Sequence, residues 1–190
     1  NALKVDKNNS GNGYTLTINN GGSGGNGTIY INFDTTAQVG TINNLGTILG
    51  NIDNQTDSII KTFNTGSING SIINNADATI ETLNVTGNVT NGIRNDSNIG
   101  SLMVKESVNY SGNGSDRITQ ALIVEKDKTL TIGSGSDTLN FHATNGTINN
   151  AGTINGNITN IADSILTDFT NSGSISGTFT NDGHIVKFVN

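Results

Sequence analysis

The phrase "GTINNLGTILGNI" at residues 40–52 returns nearly intact as "GTINNAGTINGNI" at 146–158. A chain that copies itself in this way is restricted to folds that stack similar units. Counting forward gives the size of the unit. Ile48 leads to Ile68 and Val89, Ile52 to Ile72 and Ile93, Ile60 to Ile80 and Ile99, and Phe63 to Leu83 and Leu102. Four apolar columns therefore advance together, with one short period that falls in the range of solenoid repeats. The later copy keeps the step, from Ile154 to Ile175 and from Ile158 to Phe179.

Inside one unit, as in "GTILGNI" and "GSINGSI", aliphatic residues alternate with Thr, Ser and Asn. Spacings of two and four place them on one face of a strand. Gly-Asn, Asn-Gly and Asn-Asn pairs interrupt the runs before a helix could form, and such pairs tolerate the positive φ of a corner. Short strands, corners and inward Ile and Leu predict an all-β fold. The architecture expected is a right-handed parallel β-helix, or β-solenoid, with about 20 residues per coil. The regular repeats occupy residues 40–190. Residues 1–39 match the period poorly and are expected to form irregular β coils, with the glycines of "NNGGSGGNG" in a surface loop. The chain starts at Asn1 and ends on "HIVKFVN", still in strand pattern, so it reads as a fragment of a longer solenoid.

Composition decides between a thin core and no core. Hydrophobic residues make up 32% of the chain, below the roughly 45–50% of a globular domain when glycine is counted there. Disorder would combine low hydrophobicity with high net charge, yet only 13% of residues are charged and the net charge is −6. The aliphatic residues, moreover, keep register. A narrow interior lined by aliphatic groups, with amides decorating the outside, satisfies both facts. Zero proline fits a ladder in which every amide donates.

Two polar patterns follow the same spacing. "SLMVKES" at 101–107 aligns with "ALIVEKD" at 121–127. That alignment sets Lys105 under Glu125 and Glu106 under Lys126 as register-fixing ion pairs. Asn54, Asn74 and Asn95, and later Asn160 and Asn181, form columns whose amides can hydrogen-bond along the stack.

Acidic balance and the lack of a Lys/Arg stripe exclude a nucleic-acid partner. No apolar run is long enough to span a bilayer. The absence of cysteine rules out a disulfide scaffold and cysteine-type zinc sites. Candidate chemistry is sparse. "GNGSDRI" at 112–118 and "GSGSDTL" at 133–139 share G-x-G-x-D-x-(I/L), the core of a calcium-binding nonapeptide repeat. Asp116 and Asp137 would be its hard oxygen donors. The two copies stand a full coil apart, however, and Ser111 and Ile132 replace the first glycine of the full motif. Tight turns capped by the Asp side chains are the preferred reading. Asp57, Asp77 and Asp96, with Asp163 in the later copy, form a column before Ile-containing runs that reads as turn capping. Polysaccharide-cleaving β-helices need clustered carboxylates, often beside arginine; here the acids are dispersed and the arginines are Arg94 and Arg117. His142 and His184 stand far apart, with no Ser/His/Asp spacing around them. Thr-x-Thr recurs too rarely for a flat ice-binding face. We assign no catalytic, cofactor-binding or metal-ligating residue from the sequence, and expect no enzyme.

The phrases "NNAGTINGNITN", "NSGSISGTFTNDG" and "KTLTIGSGSDTLNF" resemble the passenger domains of bacterial autotransporters, the type V secretion proteins. The resemblance implies a β-helix exported through an outer membrane, displayed at the bacterial cell surface or shed, with its translocator barrel outside this segment. It further implies a non-enzymatic role in adhesion, binding of a host-cell protein or glycan, or self-association. A structural stalk or surface-layer segment, and a polysaccharide-acting β-helix enzyme, are the alternatives.

Overall fold

The computed structural model describes residues 3–5, 15–20, 23–26, 29–31, 38–133 and 137–190, with side chains described from Val39 onward. Among these residues every regular element is a β-strand, and every strand pairing is parallel. The strands run in three sheets, one of them nine strands deep. This is the β-solenoid that the repeat predicts. The apolar columns are register partners: Ile52–Ile72–Ile93 in the first sheet, and Ile60–Ile80–Ile99 and Phe63–Leu83–Leu102 in the second. Ile48 pairs with Ile68 in the third sheet, which a bridge to Val89 extends. These side chains merge into one core, and most of them are wholly buried. Ser23–Asn26, in the glycine-rich stretch expected to be a surface loop, is a strand paired with Thr47–Leu49.

Most of the asparagine column lies inside the solenoid and not on its outer surface: Asn54, Asn74, Asn95, Asn150 and Asn160 are wholly buried, while Asn181 is exposed. An amide can be buried when its polar atoms find partners, and stacking supplies them. Asn54 Nδ2 donates to Asn74 Oδ1 at 2.8 Å, and Asn74 Nδ2 to Asn95 Oδ1 at 2.8 Å. Asn150 donates to Asn171, and Asn160 to Asn181, each at 2.7 Å. Each of these bonds points toward the C-terminal rung. A ladder with one direction must begin somewhere, and it begins above an apolar residue. Ile31, Val124 and Phe141 are the register partners below Asn54, Asn150 and Asn160. The first oxygens, Asn54 Oδ1, Asn150 Oδ1 and Asn160 Oδ1, consequently have no hydrogen-bond partner. A second amide ladder, Asn84 to Asn64 to Asn43, does run along the partly exposed side of the second sheet.

The ion pairs also differ from expectation. Leu102 stacks on Leu122 and Val104 on Val124, as the sequence indicates. Glu106, however, pairs with Lys128 at 2.9 Å and not with Lys126. Among the described residues Lys105 and Glu125 form no ion pair. The cause is a turn. Lys128 N donates to Glu125 O, and Asp127 takes φ 61°, which swings the chain so that Lys128 returns over Glu106. The hydrogen bond from Lys128 holds the Glu106 carboxyl below its ordinary range. That contribution is present at neutral pH and is lost as pH falls through the lowered value.

The same turn recurs around Asp57, Asp77 and Asp163, each exposed and left-handed at φ 64°, 61° and 64°. These aspartates occupy the turns, but among the described residues their carboxylates accept no hydrogen bond, so they do not cap the turns as the spacing predicts. Asp96 is not one of them: it is buried and ion-paired with Arg94. Asp127 is a fourth left-handed aspartate, at a different corner, between Arg117–Val124 and Thr129–Ile132. Left-handed backbone strains any residue with a Cβ. Asp77→Gly is therefore expected to leave stability unchanged or raise it by up to about 1 kcal/mol, and Asp77→Val to lower it by about 1–2 kcal/mol. Urea unfolding of the two variants checks the sign.

Candidate functional site

Between Ile48 and Val89 successive rungs keep a step of about 20 residues; beyond Val89 the step varies, and the irregularity hollows the surface. After Val89 the third sheet ends. The next coil is short: Tyr110 already stacks on Ile93. The following coils are long, with Ile132 on Tyr110 and Ile154 on Leu130. Changes in coil length at fixed register push the corners in and out, and three adjoining hollows open along this flank.

The first hollow is lined by Asn91, Asn109, Ser111 and Thr131. Thr131 and Gly133 join it to a second, which continues over Asp137, Asn155 and Ser176. Asp137 joins the second to a third of about 520 Å³, beside Asn113, Thr138 and Asn140. Strand register makes the floor a straight column. Asn109 lies under Thr131 and Thr131 under Asn155, and Ser176 Oγ donates to Asn155 Oδ1 at 2.9 Å. Among the described residues, Asn91, Asn109, Thr131, Asp137 and Thr138 use no side-chain atom in a hydrogen bond or ion pair. Elsewhere many amides are tied into ladders; here donors and acceptors remain open to a ligand. Asp137 is the one charged residue in the lining among the described residues.

The two copies of the glycine–aspartate motif have separate fates. Asp116 is fully buried. It accepts hydrogen bonds from Tyr110 Oη at 2.9 Å, Gly114 N at 3.1 Å and Asn140 Nδ2 at 3.4 Å. Arg117 Nη1 closes the turn by donating to Gly114 O at 2.9 Å and Asp116 O at 2.7 Å. Both carboxylate oxygens are thus engaged in capping. Burial, then the Asp116 charge, pushes the Tyr110 hydroxyl well above the ordinary tyrosine range, so it stays protonated and donating. In the second copy, Ile132 occupies the register position that Tyr110 holds in the first. The Asp137 carboxylate packs over Gly133 as that of Asp116 packs over Gly112, but with no hydroxyl to hold it inside it is left half-buried at the rim of the hollows. The centre of the second motif, residues 134–136, lies outside the described residues.

The other candidates stay apart. His142 and His184 are exposed on different rungs, and Arg94 is tied to Asp96. Among the described residues no group of three or more His, Cys, Asp or Glu side chains is placed to hold a metal ion, and no helix is long and apolar enough to cross a membrane. Sequence reading missed Asn109, Thr131 and Asn155 because the steps between these register partners are longer than the repeat. Comparison with models of known families, with curated proteins and with solved structures gives no match.

Proposed function

We propose that this chain is a surface-exposed or secreted β-solenoid of the autotransporter-passenger kind, with its translocator barrel elsewhere in the protein, and that it acts without catalysis by binding a host-cell protein or glycan. This reading is carried by the row of unengaged polar side chains on one hollowed flank. A polar group that faces solvent without a partner inside the protein offers its hydrogen bonds to a ligand, and several in register add weak contacts along a length. Hydrolysis of a polysaccharide calls for two carboxylates across one bond. Asp137 stands alone in the lining, and Asp116 is enclosed by its donors, which speaks against that chemistry.

The test is adhesion of the purified chain to host cells, beside a foreign solenoid of equal length. Retention of this chain and not of the foreign rod supports the proposal. Equal retention of both assigns the chain to the role of a stalk, and release of reducing sugar from a polysaccharide substrate would make it an enzyme.

A further inference from the structure

We infer that the hollowed flank is a subsite for an extended, uncharged glycan lying along the solenoid axis, with Asp137 accepting hydroxyl hydrogens at its side; this rests on the binding role proposed above. The geometry of the floor favours a long ligand. Gly92, Asn109, Thr131, Asn155 and Ser176 follow one another on successive rungs, so at about 4.8 Å per rung the floor runs for roughly 19 Å. That is a linear track, suited to a chain of sugar rings more than to a compact small molecule. Gly92 lets Asn109 settle directly above it, since a Cβ there would sit 2.6 Å from Asn109 O.

The chemistry of the lining favours hydroxyl groups. Sugar hydroxyls both donate and accept, as amides and hydroxyl side chains do. Asn91, Asn109, Thr131 and Thr138 offer such groups, all unengaged among the described residues. Asp137 is half-buried and has no ion-pair partner among the described residues, so its carboxylate can accept from two neighbouring hydroxyls at once. Charge excludes the alternatives. A uronic or sulfated chain would bring anions against a carboxylate on a molecule of net charge −6. A chain of amino sugars would set several ammonium groups over a floor that offers one carboxylate, leaving most of them desolvated and unpaired.

The experiment is titration of the purified chain with cellohexaose, a glucosamine hexamer and hexagalacturonate, at low and high salt, alongside the cell-adhesion assay. Cellohexaose is expected to bind with affinity independent of salt, and hexagalacturonate not to bind. Asp137→Asn and Thr131→Val are each expected to weaken cellohexaose binding about tenfold with unchanged melting. Preference for either charged hexamer, or cellohexaose binding that both variants leave intact, overturns the assignment. If cells are bound while all three sugars are ignored, the glycan track is wrong and the adhesion reading stands. If neither cells nor sugars are bound, both fall.

Discussion

Asn74→Asp is expected to destabilise the solenoid by about 3–5 kcal/mol at neutral pH, although it leaves the size and shape of the side chain almost unchanged. Asn74 is wholly buried. It accepts from Asn54 below, and donates to Asn95 Oδ1 at 2.8 Å and Asn98 O at 3.0 Å above. A carboxylate keeps the first contact and turns the others into facing acceptors, with a charge removed from water. Burial raises the pKa of such a group above its unfolded value of about 3.9. Its protonated form is therefore the stable one in the fold. The deficit against wild type should be smallest below the unfolded value, grow as pH rises from there, and level off above the folded one. Urea unfolding at neutral and acidic pH measures both. A loss under about 1 kcal/mol with no pH dependence would mean that the ladder is ornamental.

Gly100→Ala is expected to cost about 3 kcal/mol or more, whereas Gly114→Ala should cost about 1 kcal/mol. The two glycines are present for opposite reasons. At Gly100 an added Cβ would lie 2.3 Å from Glu81 O, a backbone atom pinned between paired strands, so the rung itself has to shift. At Gly114 nothing lies within 4 Å, and the sole constraint is φ +85°. Thermal melting of the two variants separates contact from conformation. Equal losses would refute the distinction.

Ile52, Ile72 and Ile93 are legible in the sequence because burial, strand parity and period all act on them alike. Asn54 carries a legible signal too, but a conflicting one. Its polarity points to the surface, yet it stands two positions after Ile52 in one strand, and alternation sends both to the same face. Parity wins because the neighbouring rungs supply the amide with partners. The Glu106–Lys128 pair is out of reach of counting, since it depends on the left-handed Asp127 that displaces the chain after Glu125. Asp116 and Asp137 share a motif but not a fate, because what decides between them is the residue on the neighbouring strand, Tyr110 or Ile132. The hollows are hidden for a related reason: they exist where coil length departs from the repeat, and periodicity marks only what recurs.

The one-way ladder from Asn54 to Asn95 bears on how such a chain grows. To the inward side chains of a rung inside it, the neighbours above and below are chemically the same, an asparagine two positions after an isoleucine. A tandem duplication of one such stretch in the gene would be read by the fold as another step of the same staircase, with no new seam to reconcile. Cutting in at Asn54, Asn150 or Asn160 is different, because each sits on an aliphatic or aromatic neighbour and leaves an oxygen unanswered. Lengthening by recombination is thus open within a ladder and closed at its foot.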